Sequence, residues 1–207
     1  MFIKIPANKN SMLRRKLVYG TGVNDADYIV TPVINGKIFH CPFYVKWNSM
    51  LKRCYSEKFQ NKYPTYIGCS VCDEWLIFSN FRSWMKKQNW QGNDLDKDIA
   101  ISENKIYSPD TCIFVSHAIN VLLTDSAAAR GNNPKGVHLN KQINKYQAKC
   151  KINGKQKHLG YFNTAELASE AYAEFKSKLI LSVAANQHDP LRSYLVRIAG
   201  EINHATE

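Results

Sequence analysis

The chain has 207 residues, and its 28 Lys and Arg outweigh 17 Asp and Glu to give a formal charge of +11. That surplus favours an anionic partner, nucleic acid ahead of a membrane surface. The composition, 44% hydrophobic and 12% aromatic, is that of a globular protein with one large domain or two small ones. No uninterrupted apolar run approaches the roughly eighteen residues of a spanning helix, which excludes that class.

Residues 1–16 lack the apolar core of a signal peptide, so a cytoplasmic location is expected. The six cysteines are then expected to be reduced or metal-bound rather than disulfide-bonded. Residues 1–36 are turn-rich. Tyr28 to Ile34 reads as a strand closed by the turn Asn35-Gly36. From Phe39 to Tyr55 the period becomes helical, with Phe43, Trp47, Met50 and Leu51 on one side and Lys46, Lys52 and Arg53 on the other. Asp73 to Lys87 predicts a second helix that buries Trp75, Phe78, Phe81 and Trp84 as core rather than as a base-stacking platform. Asn89 to Asn104 is irregular and carries Asp94, Asp96 and Asp98. A short strand at Cys112–Val115 and a helix from Ser116 to Leu123 follow.

Domain one is expected over 1–123 and a linker over 124–134, ending in the breaker cluster Gly131-Asn132-Asn133-Pro134. Three strands are read next: Gly136 to Asn140, Tyr146 to Ile152 and Lys155 to Phe162, with Asn153-Gly154 as a tight hairpin turn. Alternation in the second strand puts Tyr146, Ala148, Cys150 and Ile152 on one face, and Gln147, Lys149 and Lys151 on the other. Asn163-Thr164 caps a helix whose buried stripe is Ala168, Ala171, Tyr172, Phe175 and Leu179. This second domain spans 135–182. The tail, 183–207, ends in a helix with Leu191, Leu195, Ile198 and Ile202 at helical spacing, which packs on its own chain or pairs two copies as a homodimer. The expected class is therefore α+β: a mixed N-terminal domain, then a three-stranded antiparallel sheet packed on one helix.

Charge is segregated along this chain. From Ser126 to Ala165 there is no Asp or Glu, while Arg130, Lys135, Lys141, Lys145, Lys149, Lys151, Lys155 and Lys157 fall in the same window. Gly136-Val137, the hairpin, Leu159-Gly160-Tyr161-Phe162, Thr164-Ala165-Glu166 and Ala171-Tyr172 resemble the Apetala/ethylene-response-factor type of DNA-binding domain. The resemblance covers Lys135 to Leu179. It implies a sheet lying in the major groove with the helix behind it, and DNA-facing residues Lys135, His138, Asn140, Lys149, Lys151 and His158. Lys, His and Asn stand where the plant members favour Arg and Trp, so no base preference carries over. The alternation alone adds Gln147 to Lys149 and Lys151. Lysines on phosphates supply sequence-independent affinity; Asn140, Gln147, His138 and His158 have the donors and acceptors to read base edges.

The N-terminal part, around Trp47 to Tyr55, Gly68 to Trp75, Leu95 to Ile99 and Asn104 to Cys112, resembles phage and prophage proteins classed with HNH endonucleases. That resemblance implies a His activating water and a metal stabilising the leaving oxygen. Here Lys97 stands where the general-base His is expected, and a protonated lysine is a poor base. The catalytic candidates are Asp96, Lys97, Asp98 and Asn104, with Mg²⁺ held by the two carboxylates and Asn104, His117 as a more distant ligand and His40 as a stray base. The alternative is loop carboxylates paired with Lys97 or Lys105. Cys69-x-x-Cys72 has metal-ligand spacing, and Cys54 and Cys112 complete a structural zinc set; buried thiols are the alternative.

The function these readings predict is sequence-specific binding of double-stranded DNA by a protein derived from a phage homing-endonuclease scaffold. It acts as a transcriptional repressor without cleavage, in a bacterial or phage-infected cell. The alternative is a metal-dependent nicking or homing endonuclease. RNA binding is a third reading, disfavoured by the lack of paired exposed aromatics on the sheet.

Overall fold

The computed structural model describes residues 2–124, 133–152 and 154–204. The protein is of the α+β class, and the chain divides into two compact units, Met1–Phe114 and Val115–Glu207. The helix read as the end of the first domain thus falls in the second unit. Most of the expected linker, with Arg130, lies outside the described residues, as does Asn153 of the hairpin turn. Among the described residues no helix is long and apolar enough to cross a membrane.

The first unit begins with a short helix, α1 (Lys9–Leu13). The sequence predicts one strand over Tyr28–Ile34, but the ladder is confined to β1 (Val33–Ile34), antiparallel to β2 (Lys37–Ile38). Pro32 has no N–H to extend the pairing, and Tyr28 bridges Pro6 instead. The Asn35-Gly36 turn forms, with φ of 50° and 73°. Helix α2 (Pro42–Tyr55) buries Trp47, Met50, Leu51 and Cys54, one face at i, i+3, i+4 and i+7. Trp47 Nε1 donates to the Trp75 carbonyl at 2.7 Å, which ties α2 to the next aromatic segment. A short α3 (Glu57–Lys62), capped by Ser56, follows.

The single helix predicted over Asp73–Lys87 is broken in two. A 3₁₀ turn, Asp73–Leu76, gives way at an extended Ile77 to α4 (Phe78–Met85). The break has a partner: Val23 N donates to the Leu76 carbonyl at 2.8 Å and Phe78 N to the Val23 carbonyl at 3.0 Å. Bonding to the N-terminal segment outcompetes helix continuity here, while Trp75, Phe78 and Phe81 are buried as the pattern requires. Further strands are β3 (Ser70–Val71), β4 (Asn93–Asp96) and β5 (Ile106–Tyr107), with β3 parallel to β5. Strand β6 (Ile113–Ser116) leads into α5 (His117–Leu123), which Ser116 caps by accepting from Ile119 N at 3.3 Å.

The second unit carries an antiparallel sheet in the order β7 (Val137–Asn140), β8 (Lys145–Ile152), β9 (Lys155–Phe162). Helix α6 (Ala165–Ala184), capped by Thr164, covers one face. Val137, Ala148 and Ala168 are buried at that junction, with Tyr146, Leu159, Phe162 and Ala171 packed around them. Gly136 shows how closely the layers meet: it sits at φ +75°, and a Cβ there would lie 2.1 Å from the Tyr172 ring. Helix α7 (Leu191–His204) packs on α6, burying Leu195 and Ala199. Ser177 Oγ donates to the Ala199 carbonyl at 2.9 Å and accepts from Asn203 Nδ2 at 3.1 Å. The tail helix spends much of its apolar stripe within its own chain.

Candidate nucleic-acid interface

Strand pairing decides which side chains share a face, because residues opposite one another point the same way. His138 pairs with Gln147 and Asn140 with Lys145; Gln147 pairs with Tyr161, Lys149 with His158 and Lys151 with Gln156. One face, away from α6, therefore gathers His138, Asn140, Lys145, Gln147, Lys149, Lys151, Gln156, His158 and Tyr161. The face toward α6 takes Ala148 and Cys150, both buried. The alternation read in β8 is thus observed. Lys135 stands at the entry to β7, and a cleft of about 830 Å³, bordered by α5, brings it together with His138, Lys149 and Lys151.

Strict alternation in β9 would separate His158 from Tyr161, since they are three residues apart. A bulge resolves this. Ala148 pairs with Gly160 but Lys149 with His158, leaving Leu159 as the extra residue. Leu159 and Phe162 then pack inward, while His158 and Tyr161 both face out. Gly160, at φ +151°, supplies backbone that other residues rarely adopt, and a Cβ there would lie 3.0 Å from the Phe162 ring. Neither Tyr161 nor Lys145 is among the sequence candidates. The bulge hides the first, and the only signal for the second is its place in the basic run.

The outward polar groups form one small network. Gln147 Nε2 lies 2.8 Å from His158 Nδ1 and 3.4 Å from the Tyr161 hydroxyl. The His158 and Tyr161 rings pack with centroids 4.6 Å apart at 53°. Asn140 is partly engaged elsewhere: its Oδ1 accepts from Gln142 N at 3.0 Å, ordering the β7–β8 turn. Among the described residues, no ion pair holds Lys145, Lys149 or Lys151.

The catalytic candidates behave differently. Asp96 Oδ1 accepts from the backbone N–H of Asp98 at 2.8 Å and of Ile99 at 2.9 Å. Burial raises its carboxyl pKa above the ordinary value, and those two N–H groups partly offset the rise. Asn104 Nδ2 donates to the carbonyls of Lys97 and Ile106, and its Oδ1 accepts from Ile106 N at 3.0 Å. Lys97 is 6% exposed, and its ammonium group bonds the Asp98 carboxylate and the Asn104 carbonyl. This set does not fit Mg²⁺: a lysine cation already sits on Asp98, and Asp96 and Asn104 order the backbone of the loop. The pairing with Lys97 is the one observed; Lys105 reaches the Thr65 carbonyl instead, at 3.1 Å. His40 and His117 are both exposed.

The cysteines are not gathered into a zinc set. Among the described residues no three His, Cys, Asp or Glu side chains are grouped to hold a metal ion, so Cys54, Cys69, Cys72 and Cys112 are not assembled as the spacing predicts. Burial pushes the Cys54 and Cys112 thiols up to about 12. These thiols serve the aromatic core to which Cys54, Cys69 and Cys112 belong.

The chain gives no match to protein-family models, to curated proteins or to solved structures.

Proposed function

We propose that the chain is a sequence-specific double-stranded DNA-binding protein that presents the outer face of β7–β9 to the major groove. The observation that carries this reading is the register: it collects Lys145, Lys149 and Lys151 with His138, Gln147, His158 and Tyr161 on the face α6 leaves bare. Lysines neutralise phosphates, and the uncharged polar groups among them match base edges. Size is compatible, since the outer strands of a three-stranded sheet lie roughly 10 Å apart and the major groove is roughly 12 Å wide. The resemblance of Lys135–Leu179 to the Apetala/ethylene-response-factor type supports the same docking.

Binding without cleavage is favoured because Asp96 Oδ1, as acceptor, and both ends of the Asn104 amide are engaged within their own loop, and Lys97 occupies Asp98. Such a binder, set on a promoter of bacterial or phage DNA in the cytoplasm, represses transcription by occupancy.

The test is selection from a random duplex library with and without Mg²⁺, sequencing bound and cut molecules. An enriched motif on intact DNA is expected. With Lys135, Lys145, Lys149 and Lys151 on phosphates, log affinity should fall against log salt with a slope of about −4. Sequence-blind binding would overturn the specific reading, and cuts at a fixed offset from the motif would overturn the repressor.

A further inference from the structure

Resting on that proposed DNA reading, we infer that Gln147 is the specificity-determining residue of the sheet. His158 and Tyr161 position its amide so that the carbonyl faces the base edge and selects a base that presents an amino group in the major groove.

Gln147 sits at mid-sheet, opposite His138 on β7 and Tyr161 on β9. A glutamine amide has a donor end and an acceptor end of nearly equal shape, so what it reads depends on which end is held back. Here the held end is Nε2, at 2.8 Å from His158 Nδ1 and 3.4 Å from the Tyr161 hydroxyl. With Nε2 donating, Nδ1 must be the acceptor, and the imidazole is neutral with its proton on Nε2. The ring packing of His158 on Tyr161 fixes the imidazole in that place. Oε1 is the end of the amide that these two contacts leave for a partner. In the major groove an outward acceptor matches adenine N6 or cytosine N4; it is repelled by guanine O6 and thymine O4.

The arrangement also makes the choice pH-dependent. A protonated imidazole carries N–H on both nitrogens and cannot accept at Nδ1. Two donors would then face each other, and a half-turn of the amide removes the conflict: Oε1 accepts from Nδ1–H and from the Tyr161 hydroxyl, and Nε2 turns outward. The outward group changes from acceptor to donor, and the preferred base from amino-bearing to keto-bearing. The other groups facing His158 are Lys149 opposite it on β8, His138 beyond Gln147 on β7, and Gln156 on its own strand. No carboxylate lies in any of the three strands.

The experiment combines selection from the same duplex library with NMR of the free chain, both at about pH 8 and about pH 5.5. One motif position should prefer adenine or cytosine about fivefold at the higher pH, the size expected of one uncharged hydrogen bond, and shift toward guanine or thymine at the lower. Gln147→Leu should erase preference at that position alone. His158→Phe, which releases the amide, should relax the preference at that position at both pH values and abolish its pH shift. In the free chain, the ¹⁵N shift of His158 Nδ1 should show an unprotonated nitrogen at the higher pH. A motif that forms yet ignores both Gln147→Leu and pH overturns this assignment and leaves DNA binding standing, and a proton on Nδ1 at the higher pH overturns it without any DNA present. Absence of any motif overturns the DNA reading itself.

Discussion

The Asp96–Asn104 loop of the first unit and the outer face of β7–β9 in the second are both dense in polar groups, and they use them in opposite ways. In the loop, Asp96, Lys97 and Asn104 bond the loop's own backbone, and Lys97 also bonds Asp98. On the sheet, the lysines project from strands whose backbone needs are already met by the ladder. Irregular backbone consumes side-chain donors and acceptors because it has no ladder to satisfy it. Regular strands release theirs for a partner. Charge alone does not show this difference: Met1–Phe114 holds 16 Lys and Arg and Val115–Glu207 holds 12, but only the second sets eight of them in a stretch free of acids.

The outer face of β7–β9 depends first on the helix–sheet junction beneath it. Gly136→Ala places a Cβ within the Tyr172 ring at a backbone conformation unsuited to it; a loss of about 2–4 kcal/mol is expected, seen as a lower midpoint in urea. Next in size is an alkaline weakening of the first unit. The Cys54 and Cys112 thiols rise from 9.0 to about 12 through burial, so between those values the native state keeps protons that the unfolded state has lost. Stability is therefore present below pH 9.0 and falls as pH rises toward about 12; Tyr28 and Tyr107, also raised by burial, act in the same direction. A urea midpoint that stays level across that range would contradict this.

Smaller effects sharpen the contrast between the regions. Lys149→Ala with Lys151→Ala should weaken DNA binding about tenfold, flatten the salt slope by about 2, and leave the melting temperature unchanged. In the loop, Asp96→Ala should cost about 1 kcal/mol of stability by orphaning two N–H groups, whereas Asp96→Asn, which still accepts them, should cost less. DNA affinity measured alongside should follow the lysines and ignore Asp96.

Much of the second unit was legible in the sequence because local signals agree, in the period-two alternation of Lys145–Ile152 and the Thr164 cap. The stripe read in α6 is observed only in part: Ala168 and Tyr172 are buried, but Ala171, Phe175 and Leu179 are half-buried, and Ala173, Lys176, Ser177, Ile180 and Ala184 are buried because α7 packs on a second side of the helix. The bulge was not legible, since Leu159-Gly160-Tyr161-Phe162 fits two alternations and only pairing with Ala148 and Lys149 selects between them. The break at Ile77 is also a long-range effect, set by Val23 more than fifty residues earlier. Cys69 and Cys72 have a spacing that serves metal sites and cores alike, and here the core takes Cys69. Lys97 reads as a charged loop residue, yet it is buried, because its partners Asp98 and Asn104 come from the folded loop and not from any pattern.

The bulge also governs curvature. An added residue in one strand increases local right-handed twist, so the register shift at Ala148/Lys149 should coil the outer face of β9 rather than leave it flat. A coiled face can follow a groove as it winds about the helix axis instead of touching it at one point. Eight-residue strands such as β8 and β9 reach roughly 26 Å; on the proposed docking, about 3.4 Å per base pair would give one such unit a footprint of roughly eight base pairs.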